Sequence, residues 1–320
     1  MDPQQHLIKA VQTAAKSGTL KLDGWDLTEI PNAVFQTADA TPAKGGVEFG
    51  SAAGWWEVYQ LTKLVLSHNR ISIVPDQIAS LESLTLLDLS HNQLTELPDA
   101  LHALSELKSM DVSSNPLTSL PPVMGELQAL VQLKCANCKL QEVPDSLGFC
   151  EALVELSLAG NQLATLPERL AFCTALTTLD VQGNQLTRLP AGLLRGATSL
   201  TELNASRNKI QGSLNPEIAS LSNLVRLDLR QNQLSSFPDG LQATACALRC
   251  IGRFRQGGSR GAVFPRASRG PDCALPVVTV KWSPIAGCRA LAELYLGYNH
   301  FTKVPVQLSQ LPCLSTLDLR

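Results

Sequence analysis

Two cysteines spaced as Cys135-x-x-Cys138 are the residues of this 320-residue chain that most resemble a chemical site. That spacing is typical of redox motifs and of half a zinc site. Zinc sites need three or four protein ligands, and no second Cys or His pair lies at zinc-finger spacing. For Cys150 and Cys173, which are further apart in the chain, a disulfide is an alternative to two buried thiols. We interpret all four as small core side chains and predict no metal and no cofactor.

His68 and His91 are separated by the same interval as Cys150 and Cys173, and two imidazoles could share a metal ion or sense pH. Two ligands without a third make a poor site, so we interpret both as solvated residues at the rim of a sheet. The chain has no glycine-rich phosphate loop, no G-x-S-x-G and no H-E-x-x-H. Its carboxylates do not form a convergent acid–base pair. We therefore predict that the chain is not an enzyme.

Both pairs are separated by 23 residues, and this interval is the period of a motif, L-x-x-L-x-L-x-x-N/C-x-L, that repeats along most of the chain. We count positions from the first leucine of each motif, so that the ninth carries Asn or Cys. Successive ninth positions differ in number by 23 or 24, except for a final step of 67. They are Asn69, Asn92, Asn115, Cys138, Asn161, Asn184, Asn208, Asn232 and Asn299.

This period predicts the fold. Alternate side chains of a strand point to opposite faces, so the leucines of each L-x-L point inward. One unit cannot bury them alone, and neighbouring coils must stack. Proline recurs six positions after most ninth positions and suits the first turn of a short helix. We predict an α/β solenoid, a curved horseshoe with parallel strands on its concave face and short helical or 3-10 segments on its convex face. The ninth-position amides would bond backbone groups of adjacent coils.

These motifs resemble those of leucine-rich repeat proteins, in particular the intracellular 23-residue class. Ras-binding scaffold proteins and the plant Ras-group-related proteins are similar. The resemblance covers roughly 230 of the 320 residues and implies a repeat protein without assigned chemistry that binds proteins, a small GTPase being one candidate. Segments 7–31 and 55–71 narrow the resemblance to one group within this class.

Four segments follow from the pattern. Residues 1–18 are expected to form a capping helix, and 19–242 leucine-rich repeats with an insert near 37–57. That insert ends in Trp55-Trp56, which either pack on the first coils or anchor a partner. Segment 243–286 has seven basic residues, one acid and no sustained periodicity. We expect it to be disordered or an artefact of the gene model; the alternative is a loop that binds polyanions. Segment 287–320 holds further repeats and stops inside one, so we expect a fragment or truncated product.

Composition bounds the location and the partners. The net charge is −2, which excludes a strongly basic nucleic-acid binder as an interpretation of the whole chain. No apolar run approaches the ~20 residues of a membrane helix, and the N-terminus is unlike a secretory signal. Nine cysteines are then best interpreted as reduced thiols, and we expect a cytoplasmic protein.

The predicted binding site is the concave face, which we define as the third and fifth positions of the coils. It carries eight acids against three bases, a balance that would attract a partner with a basic patch. We predict a non-catalytic protein-interaction scaffold, with intracellular signalling as one setting. The alternatives are binding of nucleic acid or an anionic surface through 243–286, or a regulatory part of a larger enzyme. The candidate partner-binding residues are Asp88, Asp111, Glu155, Asp180, Glu202 and Asp228, with Arg226, Arg230 and Tyr295 as secondary anchors.

Overall fold

The computed structural model describes residues 3–37, 60–236, 288, 290–301 and 313–319. Within these residues, eleven three-residue strands form one parallel sheet, and two further strands form a small separate sheet. The predicted solenoid is therefore confirmed. The strands are β1 Thr19–Lys21, β2 Lys63–Val65, β3 Leu86–Asp88, β4 Ser109–Asp111, β5 Gln132–Lys134, β6 Glu155–Ser157, β7 Thr178–Asp180, β8 Glu202–Asn204, β9 Gln211–Ser213, β10 Arg226–Asp228, β11 Gln233–Ser236, β12 Glu293–Tyr295 and β13 Thr316–Asp318.

Each strand of the long sheet pairs with the strand of the next coil at equivalent positions. Leu64 of β2 lies opposite Leu87 of β3, and Leu133 of β5 lies opposite Leu156 of β6. Their side chains are fully buried. Burying one leucine contributes about 2 kcal/mol, but only if a neighbouring coil covers it. The repeated leucine thus fixes both the direction and the spacing of the stack.

Short helices cross the opposite side of the solenoid. Seven of those in the described ranges are 3-10 helices, and the repeat between Asn184 and Asn208 has the α-helix α2 instead. The 3-10 helices span Asn32–Thr37, Asp76–Ser80, Asp99–Ala103, Pro122–Glu126, Asp145–Phe149, Glu168–Phe172 and Pro216–Ser220, and α2 spans Ala191–Gly196.

We expected the recurring proline in the first turn of each short helix. In the structure it lies one residue earlier, at the N-cap. Pro75, Pro98 and Pro144 are N-cap residues with extended backbone, such as φ −76° and ψ 154° at Pro75. Proline fits here because its fixed φ suits the extended region as well as the helical one. In the repeat without this proline, the Asn215 side chain accepts a hydrogen bond from Glu217 N–H and serves as the cap.

The N-terminal end is covered by α1, which spans Pro3–Ser17. Ala14 is buried, and Leu7 and Val11 pack against the leucine core. The helix stops at Gly18, whose φ of +67° is the left-handed conformation that commonly ends helices. The strand β1 then pairs with β2, Thr19 opposite Lys63. The sequence predicts this register from a degenerate first motif, which has Leu20, Leu22 and Trp25 at its fourth, sixth and ninth positions.

Two predicted inserts fall largely outside the described residues. Of the insert near 37–57, only Thr37 is described, so Trp55 and Trp56 are not. The whole Arg-rich segment 243–286 also lies outside. The strands of the long sheet on either side of that segment are neighbours, since Leu227 of β10 lies opposite Leu294 of β12. The long sheet therefore continues across the longest step between ninth positions.

Candidate partner-binding face

The aspartates at the fifth position have a structural role that the sequence analysis did not identify. Asp88 Oδ1 accepts hydrogen bonds from Ser90 N–H at 3.0 Å and from Ser90 Oγ at 2.7 Å. Asp111 and Asp180 accept the equivalent N–H bonds at 2.9 and 3.0 Å. Each carboxylate thus closes the turn that follows its strand. The charge remains available, but one oxygen is already engaged.

The C-terminal part of the concave face is an internally paired network. Arg226 lies between two acids, 3.6 Å from Glu202 and 2.9 Å from Glu293. The hydroxyl of Tyr295 donates to Glu293 Oε2 at 3.1 Å. The hydrogen bond to Glu293 raises the pKa of the Arg226 guanidinium, which favours its charged form further.

Arg230 joins the same network through an N–H edge and a face of its guanidinium group. Its Nε and Nη2 bind both carboxylate oxygens of Asp228, and its guanidinium carbon lies 4.8 Å from the centre of the Tyr295 ring. Asp228 is buried, unlike the other predicted acids. This arrangement resembles a preorganised aromatic–guanidinium anchor, a composition favoured at binding hot spots.

The predicted acids therefore divide into two groups. Glu155 is 3.6 Å from Lys134, Glu202 pairs with Arg226, and Asp228 pairs with Arg230. No ion pair forms at Asp88, Asp111 or Asp180 within the described ranges. Asp88 and Asp111 are neighbours across β3 and β4. We call Asp88, Asp111 and Asp180 the open acids; they carry the uncompensated negative charge of this face.

The stability of the protein at different pH values tests the uncompensated charge of the open acid Asp180. Burial raises its pKa, and the nearby charge of Asp228 raises it further, against a lowering hydrogen bond from Gln182 N–H. When the pKa of a carboxyl group is higher in the folded state than in the unfolded state, the protein loses folding stability as the pH rises from the unfolded-state pKa to the folded-state pKa. We expect Asp180→Asn, which keeps the Oδ1 acceptor, to raise the thermal unfolding midpoint at pH 7 and to lose this advantage near pH 3.

Asp99→Asn, on the convex side, controls for the change in net charge. An equal shift of the midpoint at both pH values in Asp180→Asn would contradict the expected ionisation penalty.

The ninth-position asparagines form a ladder of hydrogen bonds between coils, which is interrupted only at Cys138 within the described residues. Asn92 is typical: its Oδ1 accepts Ile71 N–H of the preceding coil at 3.0 Å. Its Nδ2 donates to the preceding coil at Leu66 O, 2.9 Å, and to its own coil at Leu89 O, 3.0 Å. Cys138 is the exception, because its thiol donates only a weak hydrogen bond to Val112 O, over an Sγ···O distance of 3.5 Å. The same bonds recur, within the described residues, at Asn69, Asn92, Asn115, Asn161, Asn184, Asn208, Asn232 and Asn299.

The eighth position adopts left-handed backbone in every described coil, which the sequence analysis missed. Only the first coil and two others have glycine there, as in Gly160 and Gly183. The remaining coils place side chains at φ values of 54–58°. The sequence held a signal for this conformation, because glycine at those two positions and asparagine at Asn137 are residue types that favour the left-handed region. His68 and His91 occupy two such positions, and both are exposed, as expected for the rim.

The convex side carries an exposed aromatic pair that the sequence analysis also missed. Phe149 and Phe172 end consecutive 3-10 helices and are 50% and 57% exposed. The guanidinium of Arg169 lies 5.3 Å from the centre of the Phe149 ring. The repeated dipeptide Phe-Cys at 149–150 and 172–173 was the signal that could have revealed the pair.

The four thiols considered first are buried in the core and are not bridged. Burial raises the pKa of Cys150 to about 12 and that of Cys173 to about 11. It raises the pKa of Cys135 and Cys138 as well. A thiol with a raised pKa is a poor nucleophile and metal ligand at neutral pH, because both roles need the thiolate.

The described part of the chain offers neither a three-ligand metal cluster nor a membrane-spanning helix. No three His, Cys, Asp or Glu side chains there converge as a metal site. No helix there has the length and apolar character to cross a membrane.

The parallel sheet, the amide ladder and the 23-residue coils define a leucine-rich repeat solenoid. A family model for leucine-rich repeats matches residues 59–117 and 174–234. Among solved structures, the chain is similar to the Toll–Spatzle complex of Drosophila, with 19% identity and a TM-score of 0.61. That similarity covers 94% of this chain and 37% of the other.

Two further structures are similar. One is the leucine-rich repeat ectodomain of the plant receptor kinase GASSHO1/SCHENGEN3 from Arabidopsis thaliana, in complex with CASPARIAN STRIP INTEGRITY FACTOR 2. It is 22% identical with a TM-score of 0.56, over 94% of this chain and 38% of that one. The other is a leucine-rich repeat protein of Leptospira interrogans, 23% identical with a TM-score of 0.46, over 98% and 81%. This chain thus spans less than two fifths of each of the first two structures, whose likeness shows the fold alone.

Proposed function

We propose that this chain is a non-catalytic scaffold that binds a protein partner on its concave face. The observation that carries the proposal is that this face presents both the open acids, on β3, β4 and β7, and the Arg–Tyr network, on β8, β10 and β12. A rigid sheet presents both groups with little loss of side-chain entropy on binding. Leucine-rich repeat solenoids are generally interaction scaffolds, and two of the similar structures are complexes.

The partner we propose has a basic patch that contacts Asp88, Asp111 and Asp180. Uncompensated charge steers a complementary surface and increases the association rate. We further propose a cytoplasmic location and a role in signalling, with a small GTPase as one candidate. These follow from the resemblance to the intracellular class and, for segments 7–31 and 55–71, from resemblance to leucine-rich repeat-containing protein 40.

The test removes charge from the open acids without removing their turn hydrogen bonds. Asp88, Asp111 and Asp180 are changed together to Asn, because Asn retains the Oδ1 acceptor. The matched control changes Asp76, Asp99 and Asp145 to Asn; each begins a convex 3-10 helix and is exposed. The wild-type chain and both variants are immobilised, and the amount of each protein that they retain is measured by mass spectrometry and compared.

We expect the open-acid variant to lose a specific retained protein by tenfold or more, and the convex control to keep it. Tenfold corresponds to about 1.4 kcal/mol of binding free energy. Equal retention by both variants would refute the role of the open acids. Asp228 is left unchanged because its carboxylate is buried against Arg230 and its loss would disturb the fold.

A further inference from the structure

The side chains of His68 and His91 stack against each other on adjacent coils. Their ring centres are 4.2 Å apart, and the ring planes are within 10° of parallel. Both residues are exposed at the rim of the concave face, at the eighth position. Neither belongs to the open acids or the Arg–Tyr network, so the proposed function does not use them.

The two rings are close enough for one metal ion to bind both after they turn out of the stack. A bond from zinc to an imidazole nitrogen is about 2.0–2.1 Å and lies in the ring plane, so a tetrahedral ion holds two such nitrogens about 3.4 Å apart. Stacked parallel rings point their nitrogen lone pairs in similar directions, so binding requires both side chains to rotate until the lone pairs converge. Imidazole is a suitable ligand for Ni²⁺, Cu²⁺ and Zn²⁺.

The backbone holds both histidines in place. His68 N–H donates to Ser90 O at 3.0 Å, and His91 N–H donates to Ser113 O at 2.8 Å. Their φ values, 54° and 55°, are in the left-handed region, where other coils have glycine. Two metal-binding side chains thus occupy adjacent positions that glycine would fill without strain.

The solvent side of the pair leaves room for further ligands. Gly24 is the equivalent residue of the preceding coil, and a Cβ built there would meet nothing within 4 Å. Water molecules or donors from a partner can therefore complete the coordination beside His68. The following coil has Ser114 at this position, also in the left-handed region.

We propose that His68 and His91 together bind one divalent transition-metal ion of the Ni²⁺, Cu²⁺ and Zn²⁺ group. Two imidazoles are the protein ligands, and the other coordination positions are open. This proposal does not rest on the proposed function of the concave face, and it goes beyond the expectation that both histidines are merely solvated.

The test is isothermal titration calorimetry of the EDTA-treated full chain with NiCl₂, and then with ZnCl₂, in a non-coordinating buffer. The variants are His68→Gly and His91→Gly, because glycine removes the imidazole and suits the backbone. The matched control is His102→Gly, on the convex helix Asp99–Ala103. We expect one ion per chain in the wild type and the control, and at least tenfold weaker binding in either other variant.

A fourth variant tests for a gain of affinity. Ser114→His adds a third imidazole in the next coil, and we expect binding at least tenfold tighter than in the wild type. Wild-type affinity in His68→Gly and His91→Gly would overturn the proposal, because the ion would then bind elsewhere, for example at thiols. Failure of the wild type to bind either ion at millimolar concentration would also overturn it.

Discussion

Replacing Asn184 by alanine is expected to lower the free energy of unfolding by about 1–3 kcal/mol, the cost of a buried backbone group left without a partner, because Leu163 N–H loses its acceptor. The Asn184 amide accepts Leu163 N–H at 3.1 Å and donates to Leu158 O at 2.9 Å. It also donates to Val181 O of its own coil at 3.0 Å. The two carbonyls that Asn184 bonds each keep a second amide donor from a neighbouring ninth position. Urea unfolding followed by circular dichroism measures the difference.

The control for this prediction is Asn223→Ala. Asn223 is exposed and its amide makes one hydrogen bond, to Thr198 O at 2.9 Å. We expect that change to cost less than about 1 kcal/mol. Similar losses in both variants would mean that the ladder contributes no more than an ordinary surface hydrogen bond.

Cys138→Asn is the complementary change, and we expect it to raise stability by about 1 kcal/mol. Leu117 N–H is the counterpart of Leu163 N–H. A thiol is a weak hydrogen-bond acceptor, so Leu117 N–H does not receive the strong amide acceptor that asparagine provides in the other coils. Asparagine at 138 would supply that acceptor and extend the ladder without interruption. A loss of stability would instead show that the coil has adapted its spacing to sulfur.

The second large effect is expected at Gly148, on the convex side. A Cβ built on Gly148 would lie 2.7 Å from the carbonyl carbon of Arg169 and closer still to its oxygen. These are backbone atoms of the next coil, so relief requires the two coils to separate. We expect Gly148→Ala to lower the free energy of unfolding by about 2–4 kcal/mol, in the upper range for overpacked sites.

Gly192→Ala is the matched control for this change. A Cβ on Gly192 would meet the carboxylate oxygen Oε2 of Glu168, the end of a flexible side chain that can move away. Gly192 also lies in α2, where alanine is the better helix former. We expect a change within about 1 kcal/mol. A comparable loss at both glycines would attribute the effect to the added methyl group in general, and not to contact between coils.

Much of the solenoid could be predicted from the sequence because its information is local and repeated. The leucines at the fourth and sixth positions identify the buried side of each strand, and the period identifies the neighbour that covers it. The same argument placed the amide ladder and the degenerate first coil, in which Leu20 and Leu22 are buried as the motif requires. A single coil would not have supported these inferences; regular repetition of the motif removed the ambiguity between strand and helix.

Only the tertiary structure decided which charges of the concave face remain uncompensated. In the sequence Glu155 and Asp180 are both acids of the concave face, at a third and a fifth position, and nothing there tells which is paired. In the structure Lys134 lies near Glu155, and no base pairs with Asp180 in the described residues. The requirement for glycine at Gly148 was likewise hidden, because it depends on a close approach between two helices of different coils. The stacking of His68 on His91 belongs to the same class. Periodicity fixes the order of side chains along a strand, whereas ion pairs, clashes and ring contacts depend on ångström distances between coils.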